Sequence, residues 1–353
     1  MRTPSPAHDD SALTNESGQP QPSILQDSTE LRRRIGFATL ALIPVAALVT
    51  AAVMACGAGG TTTSSSSGGS NSSGVDCSYS ETSTASGQSS TASWSCTSTE
   101  RLVTANDIPD HSIGTFPNSN CPNTMSAQSY SWYTALSPTE STTSTTVAPT
   151  GYALNGVKFD PATAGTCPSN ATSTSQCSLI GNSGAWNIEA LGQSTFNFGV
   201  DSNNAHVQPS GAYHYHGMPT GILSNNNDGG TTLTSSTKML LVGWAQDGFP
   251  IYARWGYTTA TSSSSALKVM VSSWQVKTTP DSGRPSTSVV PMGVFTQDYQ
   301  YVASSGDLDA CNGRFDVTPE YPSGIYHYYI TDTWPFIPRC AMGTTFLDNK
   351  QLF

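Results

Sequence analysis

Charge is scarce in this chain. Of 353 residues, 11% are charged, with 14 Lys and Arg against 24 Asp and Glu. Residues 1–55 contain four Arg and five acidic residues, so the remainder is acidic as well. An acidic body without a basic stripe lacks the surface that neutralises phosphates, which excludes nucleic acid and anionic lipid as natural partners of the folded part. Cations remain compatible. Long helices are missing too, because apolar residues at helical spacing rarely persist for ten positions without Gly, Pro or Ser/Thr clusters. No Gly-rich phosphate loop, Gly-x-Ser-x-Gly elbow or His-Glu-x-x-His helix occurs, so hydrolase mechanisms built on those motifs lose support. Histidine numbers only 6.

One long apolar run is present. Arg32, Arg33 and Arg34 precede Ile35 to Ala55, and the run stops at Cys56 before a Gly/Ser/Thr tract. This pattern reads as an export signal, and Val-Met-Ala-Cys at 53–56 approximates the box in which a lipoprotein cysteine becomes acylated. The alternative is an uncleaved helix, since about 20 apolar residues suffice to cross a bilayer. Both readings place the remainder in the cell envelope, outside the cytoplasmic membrane. The expected organisation is an N-terminal extension and signal or anchor over 1–55, a flexible tether over 56–75 and one folded domain over 76–353.

Beyond Cys56 lie seven cysteines, which in an oxidising compartment read as disulfides. The preferred pairs are Cys77 with Cys96, Cys167 with Cys177, and Cys311 with Cys340. Cys121 is left over, as a free or alternatively paired thiol.

Short stretches rich in β-branched and aromatic residues punctuate the folded part, among them TASWSCTS, GYALNGVKFD, STFNFGVD, AYHYHG, KMLLVGWAQ, FPIYARWGY, YQYVASS and GIYHYYITD. They predict a single all-β domain, sandwich or barrel-like, with long disulfide-tied loops and little helix. WNIEAL at 186–191 is the best place for a helical turn. No repeat of fixed period is visible, although HYH at 214–216 and YHYY at 326–329 echo each other.

GAYHYHGMP at 211–219 carries the chemistry. On a strand, His214 and His216 project from one face and Tyr213 and Tyr215 from the other. Two imidazoles so placed can converge on one metal ion, with a third ligand from elsewhere. His206, His327 and His111 are the candidates for that ligand, and the turn Pro209-Ser210-Gly211 could fold His206 back beside the pair. Imidazole suits copper and zinc, without choosing between them. Asp247 and Glu189 are candidate supporting carboxylates, to orient a histidine or to serve as acid or base. Asp307, Asp309 and Asn312 in GDLDACNGRF offer oxygen ligands for calcium. A structural turn, with Asp309 paired to Arg314, is the competing reading of that segment.

The blocks AHVQPSGAYHYHGMPTGIL, LVGWAQDGFPIYARWGY and GDLDACNGRFDVTPEYPSGIYHYYITDTWPFIPRC resemble the bacterial YHYH domain family, over roughly residues 95–345. Cys121 and the loops 162–185 and 222–237 depart from its pattern. The resemblance implies an exported single-domain protein and supplies no catalytic residues. Three functions fit: an envelope-anchored metal-binding protein, a metal-dependent enzyme, and a surface interaction or adhesion module whose partner the sequence does not name.

Overall fold

The hairpin signals Asn155-Gly156 and Asp247-Gly248 organise the largest sheet of the computed structural model, which describes residues 77–181, 183–226 and 238–345. The signal or anchor segment, Cys56 and the tether lie outside the described residues. Among those described, no helix is long and apolar enough to cross a membrane. All of them fall within one compact unit of the chain.

Two principal sheets form. Strands β1 (Ser80–Ser83), β2 (Ser90–Cys96), β3 (Glu100–Ala105) and β4 (Tyr130–Ala135) make an antiparallel sheet in sequence order. Alternation is clear in β2, where Trp94 is buried between exposed Ser93 and Ser95. The second sheet has eight strands: β5 (Gly151–Ala153), β6 (Lys158–Phe159), β7 (Ala205–Val207), β8 (Tyr213–Tyr215), β9 (Leu241–Ala245), β10 (Pro250–Tyr252), β11 (Gly313–Asp316) and β12 (Ile325–Tyr329). Their spatial order is β7-β8-β6-β5-β9-β10-β12-β11.

That order is symmetric about its middle. The β5/β9 junction is antiparallel and each flanking hairpin is antiparallel. The next pairs outward, β6/β8 and β10/β12, are parallel, and the outermost, β7/β8 and β11/β12, are antiparallel again. Tyr152 faces Trp244 across the central junction. From Tyr152 the cross-strand row runs through Lys158 and His214 to His206. On the other side it passes through Pro250, and His327 pairs with Arg314 at the far edge.

The small sheet covers the centre of this row. Trp94, Val103 and Trp132 pack with Tyr152 and Trp244 in one buried cluster, with the Trp132 and Tyr152 ring centroids 4.9 Å apart. Trp94 donates its indole N–H to the Leu154 carbonyl at 2.8 Å, so the ring is buried without an orphaned donor. The opposite face carries Phe159, Tyr213, Tyr215, Ile251, Tyr326 and Tyr328 in the main core.

The fold is all-β with little helix, and the three disulfides join the pairs expected: Cys77–Cys96, Cys167–Cys177 and Cys311–Cys340. Cys121 is free and buried, its thiol directed to the Val207 carbonyl at 3.3 Å. Two local expectations fail. WNIEAL starts with a strand rather than a helical turn, because Trp186 and Asn187 pair with Cys167 and Thr166. STFNFGVD forms no strand: Gly199 takes a left-handed backbone (φ 68°), and the Phe198 carbonyl accepts from a histidine ring instead of a ladder. Helix is confined, among the described residues, to Thr220–Asn225 and short 3-10 turns at Thr174–Gln176 and Thr296–Asp298.

Candidate metal centre

Antiparallel pairing sets His206 on β7 directly opposite His214 on β8. Residues directly opposite share a face, and so do His214 and His216, two positions apart along one strand. Three imidazoles therefore meet at the outer edge of the eight-stranded sheet. Each offers a ligand nitrogen, and these atoms all lie within 4.8 Å of one another. Ring centroids are 4.7 to 4.8 Å apart for all three pairs.

Hydrogen bonding orients the first ring. His206 Nδ1 lies 2.7 Å from the Phe198 carbonyl and must donate to it, which leaves the lone pair on Nε2 pointing at its partners. A backbone carbonyl on the distal nitrogen is the usual way to orient a ligating imidazole. His216 Nε2 stands 3.1 Å from His206 Nε2. Without an ion that contact is a hydrogen bond in which His216 is the donor. Ligands at 2.0–2.1 Å around a tetrahedral ion sit about 3.3 Å apart, so the spacing matches what a shared ion requires.

Burial keeps the rings neutral. His214 and His216 are 2% and 3% exposed. Desolvation first, and then the neighbouring imidazoles, hold both well below the ordinary histidine range, with Lys158 and, for His216, Arg339 adding to the effect. His206 is lowered by burial too, against opposing contributions from the Phe198 carbonyl, Asp160 and Asp201. The Lys158 amine is occupied by Gln208 Oε1 at 2.7 Å and Asp160 at 3.5 Å. His216 Nδ1 is buried without a hydrogen-bond partner. An orphaned buried nitrogen costs roughly 1–3 kcal/mol, a cost usually tolerated at functional positions. Three neutral nitrogen donors, mutually close and desolvated, fit a transition metal; no chloride-like or phosphate-like recognition follows from groups that hold no positive charge.

The other candidates stand elsewhere. His111 lies on the opposite face of β8, its Nε2 2.6 Å from the Tyr215 hydroxyl and its Nδ1 2.9 Å from the Ser112 carbonyl. His327 sits on β12, between the rings of Tyr252 and Tyr329. Asp247 accepts from the Tyr328 hydroxyl (2.5 Å), the Gly343 amide (2.9 Å) and the Phe249 amide (3.2 Å), and it bonds to no histidine. Glu189 is held by Arg339 through both oxygens and by the Thr296 hydroxyl.

Asp307 and Asp309 do not converge on a shared site. Asp307 pairs with Lys268 and accepts from the Val271 amide. Asp309 accepts from the amides of Cys311 and Gly313 and from the Tyr326 hydroxyl. Asn312 donates its side-chain amide to the Tyr329 carbonyl and Thr331. The turn is closed by its own backbone, and Arg314 pairs with Asp316 rather than Asp309. Among the described residues, the three histidines form the group of His, Cys, Asp or Glu spaced to hold an ion.

Lys158, Asp160, Asp201 and Phe198 are the surroundings that linear reading missed. The signal for two of them was local: Lys158 follows the Asn-Gly turn in a strand of otherwise apolar residues, and Asp160, two residues on, is the partner such a lysine needs.

The sequence pattern of the YHYH protein family matches residues 131–343. The chain belongs to this family. The match encloses both tyrosine-histidine strands and all three clustered imidazoles. No curated protein and no solved structure matches the chain.

Proposed function

We propose that this protein is an exported, membrane-anchored metal-binding protein, in which His206, His214 and His216 hold one copper or zinc ion. The observation that carries the reading is the convergence of three buried neutral imidazoles, one of them oriented by a backbone carbonyl through its far nitrogen. Three disulfides support a compartment outside the cytoplasm, and the Arg-rich apolar segment ending at Cys56 supports attachment to the membrane. Binding is favoured over catalysis because the two carboxylates suited to acid or base work, Glu189 and Asp247, are each satisfied by other partners. When bound, the ion would supply a Lewis-acidic centre. The chain supplies a desolvated nitrogen cage, and for the facing nitrogens of His206 and His216 both to hold the ion, the neutral His216 ring would carry its proton on Nδ1 rather than Nε2.

The test is elemental analysis of the full chain purified without an affinity tag from the native envelope. About one equivalent of copper or zinc is expected in the native protein. None is expected in a folded His214→Ala, His216→Ala variant. Equal metal content in both proteins, or metal in neither, would overturn the reading.

A further inference from the structure

The symmetric strand order extends to individual hydrogen bonds. Each hairpin closes in the same way: Ala153 N donates to Val157 O at 2.8 Å and Ala245 N to Phe249 O at 2.9 Å. The turn glycines, Gly156 and Gly248, both have positive φ (77° and 93°). Asn155 donates to the Tyr215 hydroxyl at 2.9 Å, and the equivalent Asp247 accepts from the Tyr328 hydroxyl at 2.5 Å.

The outer strands correspond equally well. Asp201 accepts from the Tyr213 hydroxyl at 2.8 Å, and Asp309 from the Tyr326 hydroxyl at 2.8 Å. Asp201 N donates to Ala205 O at 2.8 Å and Asp309 N to Gly313 O at 2.9 Å. Asn204 and Asn312 share a left-handed backbone (φ 56° and 61°), and their carbonyls accept from His216 N and Tyr329 N. Chance does not reproduce a register, two left-handed residues and a tyrosine–aspartate bond together. The lengths of the connections differ, 160–204 against 253–312, which is why no constant period shows in the sequence.

This correspondence maps His206 onto Arg314, His214 onto His327 and His216 onto Tyr329. His327 keeps the form of a ligand. Its Nδ1 donates to the Ile325 carbonyl at 3.0 Å, and its Nε2 is buried with no hydrogen-bond partner. His214 occupies the same position in its strand, and its Nδ1 is buried with no hydrogen-bond partner. Arg314, opposite His327 in register, brings a permanent positive charge held by Asp316 and by the Tyr257 carbonyl at 2.5 Å.

We infer that the sheet contains two copies of one metal-site frame, and that in the second copy the Arg314 guanidinium takes the place of the ion. The identity of the ion rests on the function proposed above; the equivalence of the two frames does not. One consequence is that His327 contributes nothing to metal binding in the native chain. Another is that the second frame can be re-armed with two substitutions.

The decisive experiment titrates the full chain with zinc and counts equivalents by elemental analysis after gel filtration. Arg314→His with Tyr329→His should raise the count by about one relative to native, and the gain should persist when His214→Ala and His216→Ala are added. A folded variant, judged by circular dichroism, that gains no zinc overturns the inference. His327→Ala in the otherwise native chain provides a second measurement should the re-armed variant fail to fold: an unchanged zinc count supports the inference, and a lost equivalent overturns it. Native protein without zinc, alongside a re-armed variant that binds one equivalent, would sink the proposed function while leaving the second frame standing.

Discussion

The two ends of the eight-stranded sheet share a backbone and differ in what they do with charge. At the β7/β8 end, three imidazoles stay neutral and face one another, an arrangement that could hold a cation. At the β11/β12 end, Arg314 supplies the cation covalently, and Asp316 and Tyr329 surround it. The difference teaches that frame and chemistry separate cleanly. Turn geometry, tyrosine–aspartate anchors and ladder register are common to both ends, whereas two side-chain positions differ, His206 against Arg314 and His216 against Tyr329.

The largest effect expected from breaking this comparison is at its centre. Trp244→Ala removes a ring packed against Tyr152 and the small sheet. It should cost about 3–5 kcal/mol, measured as a shift in denaturant midpoint with an unchanged slope. Loss of amide protection at only one end of the sheet would show that the two ends do not share one cooperative core.

Matched substitutions in the anchors come next. Asp201→Ala and Asp309→Ala each orphan a tyrosine hydroxyl and backbone amides, and each should cost about 1–3 kcal/mol. Metal affinity should separate them. Asp201 favours positive charge at His206, so its loss should weaken zinc binding in calorimetry, while the Asp309 variant should match the native protein. Equal losses of affinity would contradict the assignment of the ion to one end.

The smallest effect is on acid stability without metal. Burial pulls His327 down to about 3 and holds His214 and His216 well below their ordinary range. The folded state therefore keeps these rings neutral where the unfolded chain begins to take up protons, near 6.5. Their contribution to stability is present above that pH and is lost as pH falls toward the folded values. Glu81, raised by burial to about 8, opposes this trend, since its protonated form is favoured in the fold and its contribution is lost as pH rises through 8. Subtracting the native protein's change in midpoint between pH 7 and pH 5 from each variant's isolates the histidines: relative to native, stability at pH 5 should be lost less in His327→Ala and less again in His214→Ala, His216→Ala. An unchanged loss would mean the rings titrate normally in the fold.

Much of the β architecture was legible because burial and alternation act over a few residues. Trp94, Tyr213 and Tyr326 announce their strands locally, whereas GYALNGVKFD, read as one strand, folds into two antiparallel strands about the Asn155-Gly156 turn. The near-helical spacing of WNIEAL misled, since pairing with the disulfide-held Cys167 segment outweighs local preference. GDLDACNGRF admits a cation loop or a structural turn on its sequence, and Asp309 proves to be the anchor that Asp201 provides at the other end. That equivalence connects segments whose separations differ, and only the register exposes it.

By itself, the sequence determined an acidic all-β chain, its family and the single-face placement of His214 and His216, all of which follow from composition, scarcity, motif order and the two-residue period of a strand. Tertiary structure decided the rest. It placed His206 opposite His214, turned His111 to the other face and set His327 beside Arg314, because cross-strand register depends on which segments pair, and pairing is settled by the burial of the whole sheet rather than by any stretch of the chain.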